Sequence, residues 1–142
     1  MHIKFAFAVN QSDIFEARHF GDAEKYMLYE WNNHELLLCG ELINRFKNTD
    51  EEQEHGSEKK GEAIIEMLRE NEVQVLVSKQ FGKNIKMVNQ FFIPVIINED
   101  SPAQALLKLK NNIKWIEDDL SNSSRNFKLF TLINGTLKTI IK

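Results

Sequence analysis

The sequence holds a single cysteine, Cys39, in 142 residues. No disulfide can form within the chain, and a reducing cytoplasm is the expected compartment. One thiol also cannot supply the four thiolates of an ordinary permanent iron–sulfur site. Basic excess is missing as well. Lys and Arg number 18 against 21 Asp and Glu, for a net charge of −3, whereas a general nucleic-acid binder needs a basic face to displace phosphate counterions. Long apolar runs are missing too. The opening MHIKFAFAVNQSD turns polar after a few residues, too soon for a membrane span or the apolar core of a secretory signal. There is no GxxxxGK[ST], GxGxxG, CxxC pair or HExxH, so the familiar phosphate-cradling and zinc signatures are excluded. No constellation of carboxylates stands at strand centres, as two-metal nuclease chemistry would want.

What is there reads as one α/β domain. IKFAFAV (3–9), VQVLV (73–77) and IPVII (93–97) are short apolar runs of buried-strand length. KYMLYEW (25–31) and HELLLCGELI (34–43) flank Asn32-Asn33, a plausible hairpin turn because asparagine tolerates positive φ. The stretch 44–61 is rich in charge, and a solvated loop is expected there, followed by a helix over 62–72 with Ile64, Met67 and Leu68 on one face. A short helix is expected over 82–91. A single longer helix is expected over 101–120, opened by Ser101 as cap, Pro102 in the first turn and Gln104 closing a capping box. FKLFTLI and TLKTII around Asn134-Gly135 give the strongest hairpin signal. The alternation of strands and helices in the middle of the chain implies parallel strands with right-handed crossovers. The expected architecture is a three-layer α/β/α sandwich around a mixed five-stranded sheet. Residues 1–120 would form the domain, and 121–142 a linker and appended hairpin that packs on a sheet edge or on a second copy.

Ligands of open α/β sheets collect at the carboxyl ends of parallel strands. The loops following the first strand (10–21), VQVLV (78–84) and IPVII (98–102) meet there. In the first loop, Gly21 permits a tight turn, Phe20 can anchor it, and His19 is left free to point outward as a metal ligand or acid–base group. The competing reading is an ordinary loop histidine tied to a neighbouring carbonyl. His55-Gly56 lies among glutamates and reads as part of a solvated acidic loop, or as a second contact from a loop closing over the same rim. Phe81-Gly82 opens a helix whose backbone N–H groups, with Lys79 and Lys83, could hold an anion. Asn10 ends the first strand at the same rim. Cys39, in LLLCGEL, is expected to be a small buried apolar residue.

The order of these motifs carries a resemblance. An N-terminal strand ending in a polar residue, HFG before YMLYE, HG before a helix, VQVLVSKQFG and a closing IPVII together resemble the dinitrogenase iron-molybdenum cofactor biosynthesis family over residues 1 to about 120. That family comprises nitrogenase accessory factor-like small proteins and their stand-alone relatives. The resemblance implies a ribonuclease H-like fold and transient binding of an iron–sulfur or iron-molybdenum-type cluster. It further implies non-enzymatic carriage between donor and acceptor proteins, with His19 as the metal ligand and Asn10, Phe20, Gly21, His55, Gly56, Lys79, Phe81 and Gly82 around the cofactor. SEKKG stands where the family often has a glycine-rich run, and residues 121–142 lie outside its core. Few protein bonds suit a cargo that must be released, so scarcity of thiols is compatible with a carrier. Two other readings stay open: a small-anion or nucleotide module at Gly82 and Lys79, and an interaction protein acting, or dimerising, through the C-terminal hairpin.

Overall fold

The computed structural model describes residues 1–46, 56–133 and 136–140. Its first strand, β1 (Ile3–Val9), lies inside the sheet, and its alternate side chains serve opposite faces. Ile3, Phe5, Phe7 and Val9 enter one core with Ala105, Leu109 and Ile116. Ala6 and Ala8 enter a second core with Ile64, Leu68 and Val88. Helices therefore cover both faces, α1 (Gly56–Glu70) and α2 (Ile85–Val88) on one, α3 (Pro102–Asn111) and α4 (Ile113–Asn122) on the other.

The remaining strands are β2 (Lys25–Trp31), β3 (Leu36–Ile43), β4 (Val75–Ser78), β5 (Ile93–Ile97), β6 (Leu129–Ile133) and β7 (Thr136–Ile140). They form one sheet in the order β3-β2-β1-β4-β5-β6-β7. β1, β4, β5 and β6 run parallel, and β2, β3 and β7 are antiparallel to their neighbours. The sheet thus has seven strands where five were expected. The C-terminal hairpin takes the edge of its own sheet, β6 pairing with β5 through Val95–Phe130 and Ile97–Leu132. The reason is apolar: Phe127, Phe130 and Leu132 are buried in the first core.

Two turns follow their local chemistry. Asn33 has φ of 79°, and the Asn32 side-chain oxygen accepts the N–H groups of His34 and Glu35 at 2.9 and 3.0 Å, which closes the β2–β3 hairpin. Ser101 caps α3 in a complete capping box with Gln104. The helix expected over 101–120 is nevertheless two helices. Asn112 breaks it, its side chain donating to Lys108 O at 2.8 Å while its backbone sits outside helical geometry, as asparagine does when it competes with the ladder for carbonyls.

The largest departure lies at 44–61. Residues 47–55, His55 among them, are outside the described residues, but 56–61 are helical and begin α1. Asn44 and Lys60 are both only 4% exposed. Their polarity serves buried partners rather than solvent. No helix among the described residues is long and apolar enough to cross a membrane.

Candidate functional site

β1 and β4 are parallel neighbours, so the loops that leave their carboxyl ends meet. They are joined by several bonds. The Phe20 N–H donates to Gln80 O at 2.9 Å and the Gln80 side chain donates to Ala17 O at 2.7 Å, while Ser78 Oγ, within the second loop, also donates to Gln80 O at 2.9 Å. Phe20 stacks on Phe81 with centroids 5.4 Å apart and on Tyr26 at 4.7 Å. The His-Phe-Gly turn and the Phe-Gly turn are one structural unit.

The carbonyls of that turn face inward. Tyr26 Oη donates to Phe20 O at 2.9 Å, and Asn44 Nδ2 donates to Gly21 O and Ala23 O at 2.9 and 2.8 Å. Burial pushes the Tyr26 phenol well above its ordinary range, which keeps it a hydrogen-bond donor. With its neighbours held in this way, the exposed His19 side chain is turned out of the core. Neither imidazole nitrogen has a hydrogen-bond partner among the described residues.

The ring rests on Gly82. A Cβ built on Gly82 would stand 2.7 Å from His19 Nδ1 and 3.0 Å from Cε1 and Cγ, and Gly82 has φ of +74°. Glycine is required there twice over, for the backbone angle and for the space the ring occupies.

His19 stands at the mouth of a cavity of about 290 Å³. Its apolar walls include Phe20, Phe81, Ile64, Leu68, Leu76 and Val88, and its polar groups are His19, Asp22, Lys60 and Lys83. Lys60 reaches Asp22 Oδ1 at 2.8 Å with its side chain almost wholly buried. That pair ties α1 to the three-residue 3₁₀ turn Phe20–Asp22.

Of the residues singled out in the sequence, His19, Phe20, Gly21 and Phe81 line the cavity, and Gly82 underlies the His19 ring. Gly56 is the first residue of α1. Asn10 and Lys79 do not line the cavity. Asn10 builds its own turn, its side chain accepting the Ser12 N–H at 2.8 Å. Lys79 pairs with Asp100 at 2.6 Å. Cys39 is exposed rather than buried, on edge strand β3 at the bulge where the register with β2 shifts. It therefore sits two strands away from β1.

Lys83, named in the sequence as an anion-holding group beside Gly82, lines the cavity, whereas Asp22 and Lys60 were missed. Lys60 had a readable signal, because Lys60, Ile64 and Leu68 are four residues apart and share a helical face; taking the stretch before it as loop concealed that. Among the described residues, no three His, Cys, Asp or Glu side chains gather as a conventional metal-ligand set. The site offers one imidazole, the Lys83 ammonium, the Lys60–Asp22 ion pair and an apolar interior.

Residues 1–112 match the family model described as dinitrogenase iron-molybdenum cofactor, which ends at the α3–α4 break. No curated protein matches the chain.

Proposed function

The chain belongs to the dinitrogenase iron-molybdenum cofactor family, and on that premise we propose that it is a non-enzymatic carrier that holds an iron–sulfur or iron-molybdenum-type cluster as cargo and passes it from a donor to an acceptor protein. The observation that carries this reading is the His19 imidazole, seated on Gly82 at the cavity mouth with both nitrogens uncommitted. A neutral imidazole is a metal ligand that needs no thiolate. A single protein bond to the metal also favours release over permanent storage, which suits a carrier. Lys83 places positive charge at the cavity, favourable for an anionic cluster, while the Lys60 charge is matched by Asp22.

The remaining parts of the proposal follow the same premise. Its finer fold is a ribonuclease H-like α/β/α sandwich over residues 1–120, extended by 121–142, and its compartment is the cytoplasm. His55 would be a second contact from the segment leading into α1. A phosphate seat at Gly82 and Lys79 has less support, because the Lys79 charge is matched by Asp100.

Anaerobic incubation with iron and sulfide, or with a preformed cluster, tests the reading. The wild-type chain should acquire visible absorbance, and His19→Ala should lose most of it while keeping the far-ultraviolet circular dichroism of the wild type. Equal absorbance in the two, or none in either, would defeat the proposal.

A further inference from the structure

We propose that Arg69 and Arg125 form a second binding site, for a phosphate-bearing small molecule, at the end of the sheet opposite His19. The site lies where the chain enters the parallel strands. Arg69 is in the last turn of α1 just before β4, Phe91 and Phe92 precede β5, and Arg125 precedes β6.

Both guanidinium groups lie over one ring. The Arg69 and Arg125 guanidinium carbons lie 4.4 and 4.9 Å from the Phe91 centroid. A cation–π contact with a ring does not consume the N–H donors of a guanidinium. Among the described residues, neither group has a carboxylate within ion-pair distance. Two like charges drawn to one ring repel each other, and Glu72, a carboxylate in the same lining, forms an ion pair with neither. A dianion placed against both would turn that repulsion into attraction.

The positions are held by backbone. The Asn126 N–H donates to Gln90 O at 3.3 Å, Phe127 N–H to Asn89 O at 2.8 Å, and Val73 N–H to Leu68 O at 3.1 Å. These bonds hold the Arg125 loop against the residues flanking Phe91 and fix the turn that follows Arg69. Together with Glu72, Gln74 and Ser124, the two arginines line a depression of about 780 Å³. The depression is open to solvent and its lining is mainly polar, which leaves room for a phosphate carried on a larger polar body. Phosphate is favoured over carboxylate because two forked cations match a dianion with several acceptor oxygens. The family match covers Arg69 and Phe91 but stops short of Arg125. The inference is independent of cluster handling.

The test is calorimetric titration and thermal melting of the full chain with inorganic phosphate and with adenosine monophosphate, against sodium chloride at matched ionic strength. Phosphate should raise the melting temperature of the wild type. Arg125→Gln should weaken binding at least about tenfold, Arg125→Lys should weaken it through loss of the fork, and Glu72→Gln should tighten it. His19→Ala should bind phosphate as the wild type does, which separates this site from the cavity. A stronger response to the nucleotide assigns an esterified phosphate, and an equal response assigns the group alone. No response in the wild type, or the same response in wild type and Arg125→Gln, overturns the proposal, with each variant's melting in chloride alone as the check on folding.

Discussion

At the scale of single residues, the His19 ring and Gly82 define each other's place. Any L-residue with a side chain at φ of +74° is strained, and its Cβ would meet the ring at 2.7 Å. The two effects can be separated. Gly82→Ala should cost about 1–2 kcal/mol from the left-handed backbone, measured by urea denaturation. Gly82→Asn should cost less, because asparagine tolerates that region, yet it still carries a Cβ. Both variants should move the imidazole, read as altered His19 side-chain chemical shifts in nuclear magnetic resonance. Unchanged His19 shifts in Gly82→Asn would mean that glycine is not the seat of the ring. The histidine and the two Phe-Gly steps were legible in the sequence. Their contact was not, because residues 19 and 82 meet only through the pairing of β1 with β4.

Secondary elements show a similar division. Ser101, Pro102 and Gln104 specify the start of α3 by local chemistry alone, and the capping box forms as expected. Ser101→Ala should therefore lower stability by about 1 kcal/mol, as loss of an N-cap generally does, with the denaturation midpoint as the measure and no change in the His19 shifts. Where α3 ends depends on more than periodicity. The apolar stripe continues through Ile113, Ile116 and Leu120, but the Asn112 side chain takes the Lys108 carbonyl and divides the helix. The start of α1 was hidden by charge. Lysines and glutamates in a run suggest solvent, whereas Lys60 turns inward to Asp22, and only a carboxylate brought from another loop makes that burial favourable.

For the whole molecule, the C-terminal hairpin is the deciding feature. It lies in one sheet with the other strands and closes the core over α3 and α4, where Phe130 is 2% exposed and Leu132 fully buried. Phe130→Ala should cost about 3–5 kcal/mol through lost burial and the cavity left behind, a large share of the stability of an ordinary domain. Chemical denaturation would measure it, and a loss under 1 kcal/mol would place the hairpin outside the cooperative unit. The segment that leads from α4 into this hairpin places Arg125 at the end of the sheet opposite the His19 cavity.

By itself the sequence determined the strand runs, the Asn32-Asn33 and capping signals, and the family, since each rests on neighbouring residues and their order. The tertiary structure alone decided the seven-strand sheet, the inward turn of Lys60 and Asn44, the exposure of Cys39, and the meeting of His19 with Gly82. Those outcomes depend on which strands pair and on which side chains then share a space. Periodicity along a chain carries no record of contacts made between residues far apart in it.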